Sequence, residues 1–258
     1  MTILVTNKLT VKFDGLVALH ELDLNVKQGE IRGIIGPNGA GKTTLMNLLT
    51  GVNEPTSGEI LFDGKSIVGL KASTIAAHGV RRTFQTTQLF RGMSVLENVM
   101  TGYHSCIRTG LLAAGLSLGS LRKDEAKARE RAHDALVFVG MEKFSDRDGG
   151  ELSFGQQRMI EIARAIVGEP RVLLLDEPAV GLSLDRVEDL EALIKRIRDE
   201  RGMTVMIVEH VIRLIMSLCD RITVLASGTK IAEGTADEVA RDEKVAEAYL
   251  GRSRHAGR

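Results

Sequence analysis

Residues 30–49, EIRGIIGPNGAGKTTLMNLL, decide the fold. EIRGII is a short apolar run of strand type, and TTLMNLLTG carries a helical pattern. Between them, Gly36-Pro37-Asn38-Gly39-Ala40-Gly41-Lys42-Thr43 fits G-x-x-x-x-G-K-[ST], with Thr44 directly after it. The glycines let the loop wrap so that backbone N–H groups point inward at phosphate oxygens. Lys42 then supplies a point charge to the β- and γ-phosphates, and the Thr43 hydroxyl reaches Mg²⁺. The motif requires a strand before it and a helix after it, and both are present.

Upstream, residues 3–28 alternate polar and apolar, with Gly15 and Gly29 as punctuation, the pattern of antiparallel strands. Downstream, GEILFDGKSI at 58–67 predicts a hairpin turning at Asp63-Gly64. From about 86 to 151 strand signals stop. There Ala128, Ala132, Ala135, Leu136 and Val139 fall at helical spacing, and Gly140 is placed as the stop. Strand–helix alternation returns with VLLLDE (172–177), a helix carrying Val187, Leu190, Leu193, Ile194 and Ile197 that Ser183 is placed to cap, and TVMIVE (204–209). RITVLASGTKI reads as two strands around Gly228.

The expected fold is α/β: a P-loop NTPase core with a mostly parallel sheet, an N-terminal antiparallel β subdomain and an inserted α-helical subdomain. One domain is expected over 3–250: β and P-loop core 3–85, helical subdomain about 86–160, remaining core about 161–235 and a C-terminal helix about 236–250. The tail, 251–258, reads as disordered.

The 34 Lys+Arg balance 34 Asp+Glu, so no broad basic field exists to hold nucleic acid. Cys106 and Cys219 match no metal spacing and fit a reduced compartment. The first residues have no secretory h-region, and the longest apolar stretch, 110–121, is short and broken by glycine. Work at a membrane would then proceed through a partner.

A P-loop needs a carboxylate at the end of a neighbouring strand to hold Mg²⁺, and Asp176 closes VLLLD. Glu177 follows as a candidate for polarising the attacking water. His210 ends the next apolar strand. A lone histidine is usually surface or satisfied core, but open α/β sheets bind ligands off the carboxyl ends of their strands. LSFGQQR (152–158) is a second phosphate-type feature: Ser153 and Gln156 form a capping-box pattern, and Gly155 leaves the backbone open to close approach.

The order of phosphate loop, RTFQ (82–85), LSFGQQR, VLLLDEP and IVEH resembles the nucleotide-binding subunits of ABC transporters over nearly the whole chain. The resemblance implies ATP and Mg²⁺ as ligands, with Gln85 meeting the metal and the attacking water alongside Thr43 and Asp176. His210 would contact the γ-phosphate, and Phe13 would stack on adenine. It also implies a head-to-tail pair of ATPase subunits, alike or different. In that pair Ser153, Gly155 and Gln156 of one chain cap the ATP held by the other. The partners implied are transmembrane permease subunits seated near residues 86–100 and, indirectly, a periplasmic solute-binding protein.

Three segments, GVRRTFQTTQLFRGMSVLENV, SFGQQRMIEIARA and AYLG (248–251), are similar to the branched-chain amino acid importers. Phe154, the third residue of the LSFGQQR signature, suits that branch. Ser183 departs from it: the wider family has Asp there and this branch usually Asn. The expectation is an ATP-hydrolysing subunit on the inner face of a bacterial membrane, energising uptake of branched-chain or related neutral amino acids. A urea or short-amide importer, a lipopolysaccharide exporter and a soluble ABC ATPase stand as alternatives.

Overall fold

The computed structural model describes residues 1–83, 89–104 and 118–250. Gln85, Cys106, residues 110–117 and the tail 251–258, all subjects of expectations above, lie outside the described residues. The chain opens with strands β1 (Thr2–Phe13) and β2 (Leu16–Lys27), paired antiparallel. Asp14 and Gly15 turn between them with φ of 44° and 86°. Strands β4 (Ser57–Phe62) and β5 (Lys65–Ser66) form the expected hairpin, with positive φ at Asp63 and Gly64. These four strands make one sheet in the order β2-β1-β4-β5.

The second sheet contains β3 (Ile31–Ile35), β6 (Val80–Arg82), β7 (Val172–Asp176), β8 (Thr204–Val208), β9 (Arg221–Ala226) and β10 (Thr229–Gly234). Its order is β10-β9-β3-β8-β7-β6. Every pairing is parallel except the β9–β10 hairpin. All residues of β3, β7 and β8 are buried, which is why these strands read as continuous apolar runs rather than alternating ones. The alternation reappears in which face each residue covers. Ile31, Ile35, Leu173, Leu175, Val205 and Ile207 join one core; Ile34, Val172, Leu174, Met206 and Val208 join the other, beneath the antiparallel sheet.

Helix α1 (Lys42–Leu49) follows the phosphate loop, and α2 (Ala72–His78) precedes β6. Helices α3 (Val95–Tyr103), α4 (Leu118–Phe138) and α5 (Phe154–Ile166) pack on one another. Ala128, Ala132, Ala135 and Leu136 of α4 are buried as their spacing demands, and Gly140 takes φ 71° beyond the helix end. Of the described residues 89–100, those from Val95 onward are helical. Ser94 starts it with a full capping box to Glu97, which fixes the entry point. Helix α6 (Leu184–Arg201) buries Leu190, Leu193, Ile194 and Ile197. Ser183 occupies its N-cap position, but its side chain makes no capping bond there. Helices α7 (Ile212–Leu218), α8 (Ala236–Ala240) and α9 (Glu243–Leu250) complete the chain. Among the described residues no helix is long and apolar enough to cross a membrane.

Candidate nucleotide site

The phosphate loop bridges β3 and α1, and two of its glycines are required by close approach. A Cβ on Gly36 would lie 2.1 Å from the Leu225 carbonyl oxygen of β9. One on Gly41, at φ 100°, would lie 2.6 Å from Leu19 Cδ2 and 2.8 Å from the Ala18 carbonyl oxygen of β2. The Gly228 N–H, in the β9–β10 turn, donates to the Ala40 carbonyl at 3.2 Å and holds the loop from below. The Lys42 ammonium is buried and donates to the carbonyls of Gly36 at 2.7 Å and Pro37 at 3.1 Å, so its charge is held inside the loop's curve.

Strands β3, β8 and β7 are neighbours, so their carboxyl ends meet. Asp176 ends β7 and is buried. Its Oδ2 accepts from Arg82 at 2.7 Å, and the same guanidinium donates to Asn47 Oδ1 at 2.6 Å. Glu177 leaves the strand with φ 49°, a left-handed conformation uncommon for a residue with a side chain. Its N–H donates to the Val208 carbonyl at 2.8 Å. His210 Nε2 stands 2.7 Å from Glu177 Oε1. Behind them, the buried Glu209 carboxylate accepts N–H bonds from Ala179, His210 and Val211. Burial pushes the Glu209 carboxyl above its usual range, against the pull of those three donors, and the nearby Glu177 carboxylate adds to the rise.

A cleft of about 850 Å³ opens over this junction. Phe13, Asn38, Gly39, Ala40, Gly41, Lys42, Thr43, Thr44, Glu177 and His210 all line it. Phe13, 42 % exposed, offers its ring at the rim where β1 turns into β2. Gly36 and Pro37 are not among its lining residues; their carbonyls accept from Lys42. Ser153, Gly155 and Gln156 are elsewhere: they start α5 and do not line this cleft. Their capping box is formed, with Ser153 N donating to Gln156 Oε1 at 3.0 Å and Gln156 N to Ser153 Oγ at 3.4 Å. The box serves the third residue of the helix. Helix geometry gives the N–H groups of Phe154 and Gly155 no partner within the helix.

Phe154 adds a contact that the sequence does not display. A Cβ on Gly181 would lie 2.9 Å from Phe154 Cε1, so the ring rests on the loop after β7. The Arg158 guanidinium stacks on it at 5.6 Å. Arg82, Asn47 and Glu209 were not among the sequence candidates. Arg82 sits within RTFQ, but only the parallel register pairing Arg82 with Leu174 brings it beside Asp176. Glu209 had a readable signal: an acid closing the apolar run VMIV next to a candidate histidine.

The Thr43 hydroxyl and the Asp176 carboxylate are hard oxygen donors, the type Mg²⁺ takes when phosphates and water complete its shell. Among the described residues no cluster of three or more His, Cys, Asp or Glu could hold a metal alone. A hydroxyl and a carboxylate leave most of the shell to phosphate oxygens and water, which suits a metal that arrives with a nucleotide.

Fold and cleft together define a P-loop nucleoside triphosphatase. Residues 19–180 match the family described as ABC transporter, and residues 229–255 the one described as branched-chain amino acid ATP-binding cassette transporter. The high-affinity branched-chain amino acid transport ATP-binding protein BraF of Pseudomonas aeruginosa is 42 % identical over 249 residues, covering 96 % of this chain and 98 % of that one. A solved nucleotide-free ATP-binding cassette from an ABC transporter matches with a TM-score of 0.85 at 32 % identity, covering 97 % of this chain and 100 % of that one. The cassette MJ0796, solved as a dimer in a post-hydrolysis state with ADP and Pi, matches with a TM-score of 0.77 at 28 % identity, covering 91 % and 99 %. The chain belongs to the ABC transporter family, as one of its ATP-binding and ATP-hydrolysing subunits.

Proposed function

We propose that this subunit works on the cytoplasmic side of a bacterial inner membrane and energises import of branched-chain or related neutral amino acids. The observation that carries the ATPase chemistry is the convergence of the phosphate loop, Glu177 and His210 on one cleft. Nearly full-length similarity to BraF, and the match at 229–255, support the choice of solute.

ATP would lie with its adenine on Phe13 and its phosphates in the loop. There the phosphate oxygens replace the Gly36 and Pro37 carbonyls as partners of Lys42. Thr43, Asp176 and Gln85 would hold Mg²⁺, which when bound neutralises charge on the β- and γ-phosphates. Glu177 takes the proton of the attacking water, and His210, hydrogen-bonded to it, faces the γ-phosphate. Truncating Phe13 tests the first contact. Phe13→Ala is expected to weaken ATP binding by about 1–2 kcal/mol, roughly 5- to 30-fold in Kd, with kcat retained. Equilibrium binding of a fluorescent ATP analogue reads this directly, and an unchanged Kd would remove Phe13 from the site.

The signature residues lie outside the chain's own cleft, which supports a head-to-tail pair in which Ser153 and the amides at Phe154 and Gly155 cap the partner's γ-phosphate. The partner is a second copy or a similar ATPase. A groove of about 710 Å³ between β6 and helices α3 and α5, with exposed Phe90 at its side, supports seating of the permease subunits. A periplasmic binding protein would deliver the solute to that permease.

Uptake measurements test the assignment. In a host lacking other branched-chain uptake systems, loss of this chain should abolish uptake of leucine, isoleucine and valine at low concentration. Re-expression should restore it, and re-expression of Glu177→Gln should not. Intact uptake of all three, with a defect in urea use instead, would move the chain to an amide importer.

A further inference from the structure

Glu209 is a buried carboxylate, 1 % exposed, that the hydrolytic chemistry above does not use. Among the described residues no Lys or Arg forms an ion pair with it. Its partners are all backbone N–H groups, and they come from two loops. Oε1 accepts from Ala179 at 2.6 Å, in the loop after β7. Oε2 accepts from His210 at 2.9 Å and Val211 at 3.3 Å, in the loop after β8. Glu177 precedes Ala179 by two residues, and the Glu177 N–H is tied to Val208, next to Glu209. The two side chains in contact at 2.7 Å, Glu177 and His210, thus stand on two loops that one carboxylate joins.

A carboxylate suits this position because it is acceptor-only at both oxygens. An amide of equal length would turn an NH₂ group toward one set of donors. Burying a charge without a cation is costly, so plain space filling would be better served by an apolar side chain.

We propose that Glu209 is a positioning residue for ATP hydrolysis: by bridging the backbones after β7 and β8 it sets the His210 imidazole against the Glu177 carboxylate. This rests on the assignment of Glu177 and His210 to the hydrolytic site. Glu209 acts through His210, so its effect depends on that ring being present.

A double-mutant cycle on the full chain tests it. Steady-state ATPase rates, ATP affinity and thermal midpoints are measured for Glu209→Gln, His210→Ala and the double variant. Glu209→Gln is expected to lower kcat roughly 10- to 100-fold, the scale of a small misplacement at the reacting groups. ATP affinity should stay within about threefold, because the phosphate loop is untouched, and Glu209→Asp, which keeps two acceptor oxygens, should retain more activity than Glu209→Gln. In the His210→Ala background, adding Glu209→Gln should lower kcat by less than about twofold further. Full additivity of the two losses, or a wild-type rate for Glu209→Gln beside a crippled His210→Ala, overturns the positioning role. A wild-type rate for His210→Ala overturns the site assignment beneath it. Should Glu209→Gln not fold, Glu209→Asp enters the same cycle, and its loss must likewise vanish without His210.

Discussion

Glu177→Gln is expected to bind MgATP with near wild-type affinity and to lose nearly all turnover. The amide has the size of the carboxylate and can keep a hydrogen bond to His210 Nε2, which stands 2.7 Å away in the native chain. It cannot take a proton from water. Removing a positioned general base costs roughly 10²- to 10⁴-fold in rate, and a loss of that size separates chemistry from a packing defect. Packing should change little, since the Glu177 N–H stays on the Val208 carbonyl and the Ala179 N–H stays on Glu209. ATP affinity is expected to be kept, because the phosphate loop and Lys42, which would hold the nucleotide, are unchanged. The variant should therefore accumulate an ATP-bound dimer, because the nucleotide that joins two subunits is no longer consumed. Hydrolysis at the wild-type rate would remove Glu177 as the base.

Much of this site is legible from local patterns. The phosphate loop declares itself because its chemistry needs glycines and a lysine at fixed spacing within eight residues. Asp176, Glu177 and His210 stand out because β7 and β8 are buried on both faces, so an unbroken apolar run must end where polar groups begin. The capping box at Ser153 is equally local. SVLE at 94–97 carries the same signal, and reading it as a helix start places the beginning of α3 at Val95.

Contacts made by tertiary register are hidden. Arg82 meets Asp176 across 94 residues, and nothing near either of them announces the pairing. The Glu209 clamp reaches Ala179 across 30 residues and uses backbone donors, which have no residue identity to read. Phe154 reads as a residue that suits the branch, but its support of the loop at Gly181 depends on how α5 and that loop pack. Ser183 reads as a helix cap and does occupy that position, yet its side chain makes no capping bond to the helix.

The central claim is that the two phosphate-type features of one chain serve two different nucleotides. Mixing two defective chains tests it most directly. Ser153→Arg puts a bulky cation on the capped start of α5, and Lys42→Ala removes the charge proposed to hold the phosphates. Each homodimer then has two defective sites. In a heterodimer with trans capping, one composite site carries both defects and the other carries neither. The intact one is the phosphate loop of the Ser153→Arg chain facing the signature helix of the Lys42→Ala chain. With cis capping, every phosphate loop stays beside a defect on its own chain. Equilibrium sedimentation with MgATP, on each variant alone and on the mixture, separates the two. The account predicts ATP-dependent heterodimer in the mixture, well above the dimer level of either variant alone. No heterodimer beyond those levels would contradict it.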